Sequence, residues 1–184
     1  MYTGVNGIKA VMALAHGNDA MDEWTKYEGN PVVNAPPSTY NTMDFRDPYI
    51  WKEGNKWKMI IGSGIASAGM GGALFMYESD DLVNWTYLNP FLLGHDDQDD
   101  AGRFWEMPVF LQFGEKYLLV INKIPWEGEP ARALYWTGTY ANNKFFPDYT
   151  VAKHLEITNG YLAPTVVKDA NERYVAIGII PGEV

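Results

Sequence analysis

One carboxylate of this chain stands in a setting that suits acid catalysis. Glu106 lies in the segment Phe-Trp-Glu-Met-Pro, residues 104–108, at the start of an apolar run. Burial beside aromatic surface raises the pKa of a carboxylic acid, which is how a glutamate becomes a general acid near neutral pH. A strand-edge glutamate facing water is the alternative, since most carboxylates are solvated. A second carboxylate, Asp47, lies in the segment Phe-Arg-Asp-Pro, residues 45–48.

These two segments belong to an internal repeat. The pattern aromatic-x-x-Pro occurs at residues 45–48, 105–108 and 161–164, so that its prolines are 60 and then 56 residues apart. After each proline the sequence predicts a strand, a turn that contains Gly or Asn, and a second strand. Few-stranded antiparallel units that repeat at this interval indicate a β-propeller. A β-sandwich is the competing architecture, but it would not require the repeat.

The repeat also sets the extent of the fold. We expect an all-β chain that forms one partial propeller domain over residues 1–184, with units that open near 45, 105 and 161. At about 60 residues per unit the chain holds roughly three blades, whereas propellers close with about four to eight. Both ends read as strands, so we expect a fragment of a longer domain. Blade-opening strands line the axis of a propeller, so Asp47 and Glu106 should converge at one mouth.

The composition argues against several classes of function. The net charge of −9, without a basic stripe, disfavours nucleic acid and other anionic partners. Cysteine is absent, so we expect no disulfide, thiolate chemistry or cysteine-based metal site. No apolar run approaches membrane-spanning length, and the first residues do not form a signal peptide, so the compartment stays open. The aromatic fraction of 15% suits strands and flat stacking surfaces for sugars.

We assign no metal and no cofactor from the sequence. His16, His95 and His154 lack the spacing of metal ligands. The acidic run at residues 96–100 offers oxygen ligands for a hard cation such as calcium, but it lacks an EF-hand pattern. We therefore interpret the run as a solvated loop.

The motifs resemble those of glycoside hydrolase family 32, which includes invertases, levanases, inulinases and related fructosyltransferases. Residues 44–48 match the family's Arg-Asp-Pro motif in full. Residues 105–109 match its Trp-Glu-Cys-Pro-Asp motif except that Met107 and Val109 replace Cys and Asp. Residues 24–32 resemble the family's segment before Arg-Asp-Pro, and residues 160–165 resemble its later Phe-Tyr-Ala-Pro-Gln stretch.

The resemblance implies a five-bladed propeller that cleaves β-fructofuranosides such as sucrose and fructans, by hydrolysis or transfer with retention of configuration. It implies that Glu106 is the general acid/base and that Asp47 stabilises an oxocarbenium-like transition state. The partner implied is an oligo- or polysaccharide substrate. Trp105, next to Glu106, is the candidate for stacking on a sugar. The predicted substrate-binding residues are Phe45, Arg46, Trp105 and Tyr161.

Two features depart from the family pattern. The family's nucleophile motif, Asn-Asp-Pro-Asn-Gly, does not occur. We expect the nucleophile's blade to lie upstream of Met1, and the 184 residues alone to be unable to form the glycosyl-enzyme intermediate. Aligning the repeats on proline also sets Glu106 level with Arg46 rather than with Asp47. Neighbouring strand positions face opposite ways, so both carboxylates point inward only if one strand start is bulged or twisted.

Several alternatives stay open at this point. The neighbouring five-bladed family 43 acts on arabinose or xylose linkages, and a non-catalytic sugar-binding or assembly module would account for the missing nucleophile. Arg46 is equally well explained as a surface partner of Asp44. Open blades expose unpaired edges and apolar surface, so we also expect this chain to self-associate.

Overall fold

The computed structural model describes residues 1–6, 9–95, 101–155 and 161–180, which form fifteen β-strands in antiparallel sheets. No helix within these ranges is long and apolar enough to cross a membrane. Two hairpins come first in the chain, and they consist of β1 (Tyr2–Asn6) with β2 (Lys9–Ala13), and β3 (Ala15–Gly17) with β4 (Trp24–Lys26).

Two larger sheets follow, and each is a meander in which consecutive strands pair. The first sheet contains β5 (Thr42–Glu53), β6 (Lys56–Ile65), β7 (Gly72–Ser79) and β8 (Trp85–Leu93). The second contains β9 (Phe104–Phe113), β10 (Lys116–Ile124), β11 (Arg132–Ala141), β12 (Lys144–Pro147) and the short β13 (Lys153–His154), which pairs with β11. The last hairpin contains β14 (Leu162–Lys168) and β15 (Tyr174–Ile179).

The middle strands are buried on both faces because the sheets stack face to face. In β6, Ile60 packs in a core cluster shared with the β9–β13 sheet, whereas its neighbour Ile61 packs in a second cluster on the side of the first hairpins. Both side chains are fully buried. Each such burial contributes roughly 1.5–3 kcal/mol, which explains why an apolar run without alternation forms this strand.

The opening strands of successive sheets lie side by side. Strand β9 contacts β5 and β6 of the preceding sheet and β14 of the following hairpin. We call β5, β9 and β14 the blade-opening strands, because stacked antiparallel meanders with adjacent first strands are the blades of a β-propeller. The expectation of an all-β propeller with repeated blades is confirmed.

The bounds of the strands differ from those that the sequence predicted. The sequence predicts the first strand of this unit after Pro48, whereas β5 runs from Thr42 to Glu53. Likewise β9 begins at Phe104 and β14 at Leu162, before the prolines of the repeat. The motif residues therefore lie within the strands rather than in loops ahead of them.

A bulge allows each proline to sit inside its strand. The residue before each proline has a positive φ: 58° at Asp47, 48° at Met107 and 50° at Ala163. The pairing register slips at the same three places, so that one extra residue stands on the blade-opening strand. The bulge that the alignment of Glu106 with Arg46 required is therefore present, and it occurs in all three units.

Candidate active site

The starts of β5 and β9 bring an arginine and three carboxylates together. Arg46 Nη2 lies 2.6 Å from Glu106 Oε2, its Nη1 lies 3.0 Å from Asp44 Oδ2, and its Nε lies 3.8 Å from Asp47 Oδ2. The guanidinium carbon also lies 4.5 Å from the centre of the Phe104 ring. Arg46 is therefore both a partner of Asp44 and the bridge between the two predicted catalytic carboxylates.

Asp47 is held at each of its carboxylate oxygens. Oδ1 accepts a hydrogen bond from the Thr3 hydroxyl at 3.4 Å, and Oδ2 accepts one from the backbone N–H of Met107 at 3.2 Å. Burial raises the pKa of Asp47, and the Met107 hydrogen bond and the charge of Arg46 oppose that rise. The carboxylate thus lies in a partly desolvated position with its oxygens already directed by donors from β1 and β9.

Glu106 is also held at two points. Its Oε2 meets Arg46, and its Oε1 accepts a hydrogen bond from Asn122 Nδ2 at 2.7 Å. Glu106 and Asn122 are directly paired residues of β9 and β10, which explains why their side chains meet. The Glu106 side chain keeps 16% of its surface exposed, so it is not fully sealed from solvent.

The three bulges share one further contact. The backbone N–H of each bulged residue donates to a side-chain oxygen of the preceding unit: Asp47 to Thr3 Oγ1 at 2.8 Å, Met107 to Asp47 Oδ2 at 3.2 Å, and Ala163 to Asn122 Oδ1 at 3.4 Å. A bulge leaves its extra residue without a ladder partner, and an unpaired N–H away from water is costly. We call these three contacts the blade latches. Thr3, Asp47 and Asn122 each supply the oxygen at a junction between one unit and the next.

Trp105 is not available as a sugar platform. Its side chain is 1% exposed, its Nε1 donates to the Ala101 carbonyl at 2.8 Å, and its ring lies 5.2 Å from that of Trp136. The ring packs in the core between the two larger sheets, directly behind Glu106. Its indole points away from the site because adjacent strand residues face opposite sides.

Phe45 and Tyr161 also contribute to packing. Phe45 is 3% exposed and belongs to the core cluster shared with the first hairpins, where its ring lies 6.3 Å from that of Tyr77. The Tyr161 ring is partly buried and packs on Gly178, whose Cα it approaches so closely that a methyl group there would lie 2.5 Å from Tyr161 Cζ. Burial raises the pKa of Tyr161. Of the predicted substrate-binding side chains, Arg46 is the one that this structure brings to the two carboxylates.

Two residues of the site were missed by the sequence reasoning. Asn122 carries a weak signal, since it is a polar residue directly after the apolar run at 117–121. Thr3 carries none, because its contact with Asp47 spans 44 positions of the chain. Within the described ranges, no group of three or more His, Cys, Asp or Glu residues is arranged to hold a metal ion. The acidic run at 96–100, considered above for calcium, lies outside those ranges.

Comparisons with known proteins agree on one family. The sequence model of the glycosyl hydrolases family 32 N-terminal domain matches residues 1–182. A levanase of Bacillus subtilis (strain 168) is 35% identical over 110 residues, which cover 59% of this chain and 14% of the levanase. A sucrose-6-phosphate hydrolase of the same organism is 27% identical over 163 residues, which cover 84% of this chain and 33% of the hydrolase.

A solved structure shows the same fold. The GH32 β-fructofuranosidase BmSUC1 of Bombyx mori superposes with a TM-score of 0.79 at 28% identity, over 96% of this chain and 39% of the enzyme. The chain thus spans well under half the length of the relatives it matches. These matches disfavour the alternative of a family 43 arabinosidase or xylosidase.

Proposed function

Because this chain belongs to glycosyl hydrolase family 32, we propose that it carries the acid/base and the transition-state stabiliser of an enzyme that hydrolyses β-fructofuranosides. The observation that carries the proposal is the bridge that Arg46 forms between Glu106 and Asp47 at the adjoining starts of β5 and β9. The bridge joins the two matched motifs of the chain in one partly exposed cluster.

The proposed roles follow from the surroundings of each carboxyl group. Glu106 donates a proton to the glycosidic oxygen of the leaving group and then takes a proton from the attacking water. Asp47 accepts hydrogen bonds from fructosyl hydroxyls and places negative charge near the developing oxocarbenium ion. Arg46 lies between the two carboxylates, 2.6 Å from Glu106 and 3.8 Å from Asp47, and its positive charge offsets their mutual repulsion. The structure brings the groups for these two roles together.

Retention of configuration requires one more carboxylate. A retaining glycosidase places its nucleophile about 5–5.5 Å from the acid/base. In our proposal this group comes from a part of the protein outside these 184 residues, in agreement with the absence of the Asn-Asp-Pro motif. The whole protein, rather than this chain alone, is then the hydrolase. Relatives named as levanase, sucrose-6-phosphate hydrolase and β-fructofuranosidase support a fructosyl substrate of the sucrose or fructan type.

The test uses the whole protein that contains this chain, with Glu106→Gln compared to wild type on sucrose, levan, inulin, arabinan and xylan. We expect wild type to release fructose, and Glu106→Gln to lose about 10²–10⁴-fold in kcat on sucrose. Glu115→Gln is the matched control, because Glu115 is an exposed glutamate in the turn after β9. Wild-type activity in Glu106→Gln would show that the acid/base assignment is wrong, and turnover of arabinan or xylan alone would refute the fructosyl substrate.

A further inference from the structure

We propose that Asn122 is a positioning residue that orients the Glu106 carboxyl group for proton transfer and couples it to the following blade. The inference rests on the proposed function, since it assigns a support for the acid/base of that reaction. Asn122 is 2% exposed and lies on β10, next to Glu106 on β9.

The orientation of the Asn122 amide is fixed by its two contacts. Its Oδ1 accepts the hydrogen bond from the Ala163 N–H at 3.4 Å, and its Nδ2 donates to Glu106 Oε1 at 2.7 Å. An asparagine side chain has one acceptor end and one donor end. Because the backbone N–H of Ala163 is a donor only, it selects the oxygen of Asn122 and leaves the NH₂ group facing Glu106.

This second point of attachment determines how the Glu106 carboxyl group lies. The terminal torsion of a glutamate is broad, so one contact does not define the plane of its carboxyl group. Arg46 holds Oε2 and Asn122 holds Oε1, so the plane is defined by two donors on two different strands. A general acid must come within about 2.6–3.2 Å of the oxygen that it protonates. Loss of the Asn122 contact therefore reduces the fraction of molecules in which Glu106 reaches that oxygen.

The same residue forms one of the blade latches. The Ala163 N–H belongs to the bulge of β14, so the position of the third blade-opening strand sets the position of the Asn122 amide. A purely structural latch would need only the Asn122 oxygen. The positioning role also needs the Asn122 NH₂ group, and this difference separates the two roles experimentally.

Two variants and one control in the whole protein make that separation. Asn122→Ala removes both contacts, whereas Asn122→Asp keeps the size and the acceptor for Ala163 but replaces the donor to Glu106 with a second carboxylate. Because a like charge beside a carboxylate favours its protonated form, kcat/KM of Asn122→Asp is compared with wild type at the pH optimum of each protein. Asn89→Ala is the matched control, because Asn89 is a half-buried asparagine whose Nδ2 joins β8 to the Asn143 carbonyl of the next sheet at 2.9 Å. It has the same kind of inter-sheet contact at a different place.

The measurement is kcat/KM on sucrose and on an aryl β-fructofuranoside with an activated leaving group. We expect both Asn122 variants to lose about 10- to 100-fold on sucrose, because the carboxylate that forms as Glu106 gives up its proton lacks a hydrogen bond, and a hydrogen bond to a charged group has about that value. On the aryl substrate, whose leaving group needs little protonation, we expect a loss below about 3-fold. Asn89→Ala should change both values by less than about 2-fold, as expected away from the site.

Equal losses on the two substrates, or wild-type kinetics in Asn122→Asp, would overturn the positioning role and leave Asn122 as a latch only. An unfolded Asn122→Ala, recognised by its melting curve, leaves the decision to Asn122→Asp. If Glu106→Gln is inactive while both Asn122 variants behave as wild type, this inference alone is wrong. If wild type cleaves no fructoside, or Glu106→Gln stays active, the proposed function fails and the role of Asn122 falls with it.

Discussion

A single methyl group added at Gly62 should displace the strand that carries Glu106. Gly62 is a buried residue of β6, paired with Arg46, and it lies where β6 passes under β9. A Cβ at this position would lie 2.5 Å from the carbonyl oxygen of Trp105, and 3.2 Å from both the Arg46 carbonyl oxygen and the Glu106 Cα. All three neighbours are backbone atoms, so no side-chain rotation can relieve the overlap. We therefore expect Gly62→Ala to separate β6 from β9 at the residue before Glu106.

The size of the effect follows from the overlap. An ordinary nonbonded contact of carbon is about 3.5 Å, so β9 would have to move by about 1 Å. Overpacking of a core costs about 1–3 kcal/mol, which corresponds to a decrease in Tm of about 2–12 °C for a domain of this size. A displacement of about 1 Å at a catalytic group can lower the rate about 100-fold. The loss should appear mainly in kcat, because the displaced group is the proposed acid/base.

Melting curves of Gly62→Ala, and its kcat on sucrose in the whole protein, measure the two effects. Gly4→Ala is the matched control, since it adds the same methyl group to a strand glycine whose nearest neighbour would be 3.5 Å away, an ordinary contact. We expect Gly4→Ala to change stability by less than about 0.5 kcal/mol. A Gly62→Ala protein with wild-type Tm and wild-type kcat would refute the close approach of β6 and β9 and with it the arrangement of the site.

Two further predictions concern charge and exposed surface. Because burial raises the pKa of Asp47 above its ordinary value of 3.8, its stabilising contribution is full below pH 3.8 and is lost as pH rises through the raised pKa. Asparagine tolerates positive φ as well as aspartate does. The Tm of Asp47→Asn should therefore rise relative to the Tm of wild type as the pH increases from 3 to 7. A difference between the two Tm values that does not change with pH would contradict this prediction. The isolated chain should self-associate through β15, where Ile177 and Ile179 are 60% and 62% exposed. Light scattering should show oligomers that Ile177→Lys with Ile179→Lys disrupts, whereas a monodisperse monomer of the unsubstituted chain would refute the prediction.

Local patterns in the sequence were sufficient to predict the strands and the repeat. Turn residues between apolar runs predict the antiparallel strands of each unit, because the pairing of neighbouring strands is a local property. The motif prolines were less informative. A proline usually marks the edge or start of a strand, so the sequence placed each strand after its proline. The bulges that admit Pro48, Pro108 and Pro164 into the strands depend on contacts with the preceding unit, which no local pattern records.

The orientation of side chains at the site was harder to predict than their position. The position of Trp105 next to Glu106 predicts a stacking residue, yet adjacency along a strand places two side chains on opposite faces. The packing of its ring against Trp136 depends on two sheets meeting face to face. Thr3 and Asn122 were missed for a related reason, since their contacts lie on other strands: Thr3 contacts Asp47, 44 positions away, and Asn122 contacts Glu106 and Ala163, 16 and 41 positions away.

The blade latches give an independent reason to regard Asp47 as functional. Each bulged N–H needs one acceptor, and the chain meets that need with a hydroxyl at Thr3, an amide at Asn122 and a carboxylate at Asp47. A neutral oxygen is sufficient for the first and third junctions, and burial of an ionised carboxylate costs more than burial of a hydroxyl or an amide. Burial raises the pKa of Asp47, which is the direction that this cost predicts for the second junction. The latch therefore requires an acceptor at position 47 but not a charge. The charge faces Arg46 and, in our proposal, serves the chemistry of the site.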